Sequence, residues 1–185
     1  KLLGIVVLGL LKINDKESIA KNLAIYSAFT EGLQLFSSFV ILLNFSRFGR
    51  MKGMGQIVTY SIRDESLHVE AMTKLFREFI KENLNLWTDD FKKEIYQVCR
   101  EMVKLEDKFL DLVFEMGDIQ GLSKEEMKQY IRYIADRRLL QLGLKTNYGV
   151  KDNPLNWLDD VLGVEHQNFF EGRATTYMKG GIKGN

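Results

Sequence analysis

The stretch "YSIRDESLHVEAM", residues 60 to 72, sets Glu65 and His68 three positions apart, directly after Arg63 and Asp64. Three residues is close to one helical turn, so on a helix both side chains reach toward one point. Working outward, Met54, Val58, Ile62, Glu65, Val69, Met72 and Phe76 recur in steps of three and four. That rhythm predicts a helix over residues 53–82, with Glu65 on its inner, apolar stripe. A carboxylate in such a place is costly unless it is paired or bound to a metal.

A second such carboxylate precedes it. From Ile19 to Phe48 the apolar residues Leu23, Tyr26, Phe29, Leu33, Phe36, Val40 and Leu43 again keep helical spacing, and Asn14 or Asp15 can cap the start. Glu31 lies inside "FTEGLQLFSSF", flanked by large apolar side chains. Alone it reads as a surface glutamate on an irregular helix, and a lone ExxH pair occurs by chance in many helices. Together they read differently, because carboxylate and imidazole suit iron or manganese at a bundle centre. A carboxylate-bridged dimetal bundle takes one glutamate from each of two helices and an ExxH pair from each of two others. This sequence supplies Glu31 and one pair, Glu65 with His68, and no second pair. The other histidine, His166, has Glu165 directly beside it, and adjacent helical residues do not face one another. It reads as a surface or helix-packing residue.

The remaining chain is helical by pattern. "NLNLWTDD" is a connection in which Asp89 or Asp90 can cap a helix over 91–116. Ser123 with Glu126 matches a capping box opening a helix that reaches Leu144, and a shorter helix is expected over 161–178. Pro154 is the sole proline, so long helices are permitted. The 185 residues are 45% hydrophobic, enough for one substantial core. With 26 basic against 25 acidic side chains, no basic face for nucleic acid is expected. The basic pairs near Arg47 and Lys52 and at Arg137 and Arg138 read as solvated faces or interface contacts. Glu101, Glu106 and Asp107 read as ordinary helix charge patterning. Cys99, the single cysteine, excludes an intrachain disulfide, fits a reducing compartment and reads as a small buried residue. "LLGIVVLGLL", residues 2–11, is too short to cross a bilayer of about 30 Å and reads as a buried or partner-packing segment, with a remnant signal as the alternative. No other run is expected to have the length and purity of a span.

At this point a resemblance adds specificity. "IAKNLAIYSAFTEGLQLFSSFVILLNFSRFG" followed by "MKGMGQIVTYSIRDESLHVEAMTKLFREF" closely resembles the C-terminal half of class I ribonucleotide reductase small subunits. "NPLNWLDDVLGVEHQNFFEGRATTY" is similar to that family's closing region. The segments match in order over residues 16–180, flanked by a junction segment at 1–15 and an extension at 181–185. The resemblance implies an all-α, ferritin-like helical bundle, here an incomplete half of the small-subunit fold. It implies a component active only with the missing half and the large subunit, which reduces ribonucleotides to deoxyribonucleotides. Glu31, Glu65 and His68 would be three of six ligands of a dinuclear metal centre, iron–iron first, with manganese–iron or manganese–manganese as alternatives. Asp64 matches an aspartate that bonds a ligand histidine and belongs to the radical-transfer path, and Arg63 would support it. Phe36, Phe39 and Ile62 would line the site.

Departures accompany the match. The family's first aspartate ligand, its first ExxH pair and its radical-bearing tyrosine do not occur before Glu31. Nor is there an extended tail with a transfer tyrosine, and Tyr177 lies too close to the last helix for that role. A split small subunit or a piece of a longer chain both account for this. The expected partners are the N-terminal half, a second copy of the small subunit and the large subunit, with no nucleic acid or membrane, in a cytoplasmic setting. Two other readings compete: a component of another ferritin-like dimetal oxidase, and a noncatalytic helical scaffold derived from a small subunit.

Overall fold

The computed structural model describes residues 15–161. The elements are α1 (Lys16–Ile25), a π-helical segment (Tyr26–Glu31), α2 (Phe36–Arg47), α3 (Lys52–Glu82), a 3₁₀ turn (Leu84–Leu86), α4 (Asp89–Glu115) and α5 (Lys124–Gln141). The described residues divide into two compact units between Pro154 and Leu155, and residues 156–161 of the second are helical. The apolar run at 2–11, the helix expected over 161–178 beyond its first residue, Glu165, His166, Tyr177 and the extension at 181–185 lie outside the described residues.

Each helix starts and stops for a local reason. Asp15 caps α1, its carboxylate accepting from the Glu17 and Ser18 amides at 3.3 Å. Thr88, rather than Asp89 or Asp90, caps α4: its hydroxyl accepts from the Phe91 amide at 3.2 Å. The two aspartates instead occupy the first turn, where the helix dipole favours negative charge. The Ser123–Glu126 capping box forms as the sequence predicts. α2 and α5 end in Schellman turns, where Gly49 (φ 75°) and Gly143 (φ 83°) adopt the left-handed conformation that side chains resist. Arg50 N–H then reaches the Phe45 carbonyl at 2.8 Å, and Leu144 N–H the Leu139 carbonyl at 2.9 Å.

The apolar rhythm from Ile19 to Phe48 predicts one unbroken helix, and the structure breaks it. After Ile25 the ladder widens to π spacing, and residues 32–35 form turns before α2 begins. Gln34 N–H bonds the Phe29 carbonyl at 3.2 Å, five residues back, and Phe36 N–H bonds the Leu33 carbonyl at 3.1 Å, three back. α3 packs chiefly on α2 and α1, α4 on α5, and the π segment on α3 and α5. The core joins Phe29, Leu33, Val40 and Leu43 to Val58, Ile62, Val69 and Phe76 on α3 and to Ile95, Met102, Ile131 and Leu139. Gly55 lets α2 and α3 touch, since a Cβ there would stand 1.9 Å from Ser46 Oγ. Cys99 is fully buried, and burial pushes its thiol up to about 12.

One expectation needs correction. Lys16–Arg47 is long and apolar enough to cross a membrane by length and composition, although half of its most apolar window is buried inside the bundle. A core helix acquires that composition because its neighbours surround it. Its buried Ser27, Ser37 and Asn44 suit a protein interior where partners exist: the Asn44 amide donates to the Gln120 carbonyl at 2.8 Å.

Candidate metal centre

The three residues singled out by pattern come together. Glu31 ends the π segment, Glu65 and His68 lie one turn apart on α3, and ligand atoms from all three fall within 4.8 Å of one another. His68 Nδ1 stands 3.8 Å from Glu65 Oε2. The Tyr26 hydroxyl, five residues back, comes within hydrogen-bonding reach of the Glu31 carboxylate. Burial, and then the neighbouring Glu65 charge, push Glu31 above the usual carboxylate range, while His68 and the Tyr26 bond oppose that shift.

This donor set fits a cation. Two carboxylates crowd together, and among the described residues no lysine or arginine forms an ion pair with either. A divalent ion at that point reverses the repulsion, and O,O,N donation matches iron or manganese. Thr30, one residue before Glu31, has a buried hydroxyl without a hydrogen-bond partner among the described residues. The site is also open on one side, because the His68 side chain is 63% exposed.

The open side continues along α3. Ile57, Tyr60, Asp64, Leu67, His68, Ala71 and Leu75 follow one another in steps that keep one helical face, and all are exposed. α3 therefore carries two apolar stripes, one buried against α1 and α2 and one facing outward. Asp64 sits on the outward stripe, with Arg63 Nη2 3.8 Å from its carboxylate and the Arg63 guanidinium 5.8 Å from the Tyr60 ring. Phe36 and Ile62 are buried, and Phe36 meets Phe39 edge-on at 5.9 Å.

Two charged residues were misread from sequence. Glu106, read as ordinary helix charge patterning, is 6% exposed on α4, where the Ser37 hydroxyl donates to its Oε2. Arg138, taken with Arg137 as a solvated or interface pair, is buried on α5, while Arg137 is exposed. Asp136 went unnoticed: it is buried and accepts from the Asn147, Tyr148 and Val150 amides at 2.7 to 3.0 Å, shaping the loop after α5.

The sequence profile of the family described as "Ribonucleotide reductase, small chain" matches residues 7–154. The chain belongs to that family. Among curated relatives, a probable ribonucleoside-diphosphate reductase small subunit of Invertebrate iridescent virus 3 is 45% identical over 91% of this chain and 45% of its own length. The ribonucleoside-diphosphate reductase subunit beta of Chlamydia pneumoniae is 35% identical over 87% of this chain and 46% of its own. A solved structure of a putative class I ribonucleotide reductase from Bacillus halodurans superposes with a TM-score of 0.78 at 28% identity, covering 85% of this chain and 57% of that one. The R2 subunit from Clostridium botulinum gives 0.77 at 25% identity, covering 85% and 50%. The fold is thus an all-α, ferritin-like bundle of the small-subunit type, present in part. The chain spans about half the length of the curated relatives it matches, and it belongs to a family of enzymes that work within larger complexes.

Proposed function

We propose that this chain is the C-terminal half of a ribonucleotide reductase small subunit, and that Glu31, Glu65 and His68 are its share of a dimetal-carboxylate centre. The observation that carries this is their convergence within 4.8 Å beside an open face, where among the described residues no lysine or arginine pairs with either carboxylate. When bound, an iron or manganese pair supplies the oxidising equivalent that the large subunit uses to reduce ribonucleotides. The chain's own residues hold and shelter that centre. Glu31 and Glu65 donate oxygen, His68 donates nitrogen, and the Tyr26 hydroxyl restricts the Glu31 carboxylate. Phe36, Phe39 and Ile62 supply an apolar shell that limits water. On this reading Asp64 would accept a hydrogen bond from a histidine ligand of the preceding half, fixing its tautomer and coupling proton movement to electron transfer. Arg63 steadies that aspartate.

The outward stripe of α3 supports the partner reading. Ile57 is 66% and Leu67 58% exposed, and both share the face of Asp64 and His68. Such a face suits the N-terminal half of the subunit, whether a separate chain or a preceding segment, and a second subunit copy beyond it. A cytoplasmic setting, with the large subunit as the final acceptor, completes the proposal.

Native mass and metal analysis of the protein from its source tests it. A complete site should hold about two metal ions. Glu65→Ala or His68→Ala should abolish loading, whereas Asp64→Ala should keep more metal than deoxyribonucleotide-forming activity. Full metal content and full activity in all three variants would sink the assignment.

A further inference from the structure

Glu31 is the last residue of the π segment, and the four that follow it form turns, so its position depends on a stretch of backbone whose ladder is broken. Such a break leaves carbonyls without helical partners. Arg138 of α5 fills one of them: its Nε donates to the Gly32 carbonyl at 2.8 Å. Its Nη1 donates to Gln141 Oε1 at 2.9 Å, and its guanidinium lies 5.2 Å from the centroid of the Phe36 ring. Arg138 thus touches both ends of the break, Gly32 on one side and Phe36 on the other.

The side chain is 8% exposed and has no carboxylate partner among the described residues. Burial lowers its affinity for its proton, to about 10, yet it stays charged at neutral pH. A buried cation without a counterion is poor packing material, since an apolar side chain of similar volume stabilises a core more. Gly32 is fitted to it in turn: a Cβ there would stand 2.7 Å from Arg138 Nε and 2.5 Å from the Ala28 carbonyl oxygen.

We propose that Arg138 is a positioning residue for the metal ligand Glu31, holding the Gly32 carbonyl and the Phe36 ring so that the break keeps its register. The role rests on reading Glu31, Glu65 and His68 as ligands. A one-residue slip of helical register turns a side chain by about 100°. That rotation would carry the Glu31 carboxylate away from Glu65 and His68. The guanidinium is planar and donates in fixed directions, so it resists such a slip better than a flexible ammonium.

The test uses the intact small-subunit assembly and Mn(II), followed by electron paramagnetic resonance for both affinity and the spectrum of the bound ion. Arg138→Leu should weaken binding about 10- to 100-fold, the range for losing a group that orients a ligand, and should alter the bound spectrum. Arg138→Lys should recover part of both. Leu139→Ala, a buried truncation on the same helix, should lower the melting temperature while leaving affinity and spectrum unchanged. The proposal fails if Arg138→Leu loses only thermal stability, or if Leu139→Ala weakens Mn(II) binding equally. If the unaltered protein binds Mn(II) no better than Glu65→Ala does, the ligand reading fails and the role of Arg138 falls with it.

Discussion

Glu106 shows how much one residue's surroundings change its chemistry. Burial on α4 is the largest cause that drives its carboxyl up to about 7, with the adjacent Asp107 adding to the rise and the Ser37 hydroxyl opposing it. Asp107 is itself held by Arg132, at 2.9 and 2.7 Å. A raised folded-state value means the folded protein holds the proton more tightly than the unfolded chain. Stability attributable to Glu106 is therefore highest below its ordinary value of 4.5 and falls as pH rises toward about 7. Glu106→Gln keeps a neutral acceptor for Ser37 without the charge. It should raise stability at pH 8 by on the order of 1–3 kcal/mol and flatten the decline between pH 5 and 7. Urea titrations at a series of pH values measure this, and an unchanged slope would show that Glu106 does not titrate there. The burial was legible in principle. Glu106 lies on the Ile95, Cys99, Met102, Val103, Leu110 stripe, the same signal that singled out Glu65, but without a histidine nearby it attracted no weight. Arg138 sits likewise between Ile134 and Leu142.

At the scale of the helix, pattern and structure agree where periodicity is long and part where backbone geometry decides. The spans of α3, α4 and α5 follow their apolar stripes to within a few residues, because each helix buries one face continuously. The π segment had no such signature. Its apolar residues keep steps of three and four, so nothing in their spacing marks the wider i→i+5 ladder that forms where the segment packs against α3 and α5. Thr88 won the α4 cap over the aspartates because the preceding 3₁₀ turn delivers it in extended conformation at φ −79°, ψ 162°. The contact of α2 with α3 yields a prediction of its own. Gly55→Ala places a methyl against Ser46 Cβ, 2.7 Å away, as well as its hydroxyl. It should cost about 1–3 kcal/mol, the usual range for overpacking. Adding Ser46→Gly should recover a good part of that loss, and a double-mutant cycle in urea would read the coupling. Simple additivity would mean the helices separate rather than clash.

For the molecule as a whole, the decisive feature is a long helix that is apolar on two faces. A helix at the surface of a complete bundle needs one apolar stripe, whereas one sandwiched between layers needs two. α3 has two, and the outward one carries His68 and Asp64. The incompleteness was legible from counting alone, since the sequence holds one ExxH pair where a dimetal bundle takes two. What counting could not supply was a direction: in the proposed dimetal centre the remaining ligands would come from the side of the exposed stripe. Leu67 lies at the middle of that stripe, between Asp64 and Ala71, and is 58% exposed. Leu67→Glu should leave the helical content and melting temperature of the chain nearly unchanged, because substitutions at exposed positions rarely move stability by more than about 0.5 kcal/mol. It should nevertheless weaken association with the N-terminal half by more than about tenfold, or 1.4 kcal/mol, since a charge would be buried without a partner at the junction. Analytical ultracentrifugation of the two halves reads the association, and metal content should fall with it. Assembly as tight as that of the unaltered chain would place the junction elsewhere on the bundle. The metal centre would then have to be completed across a face that leaves Leu67 in water, which its helical neighbour His68 makes hard to arrange.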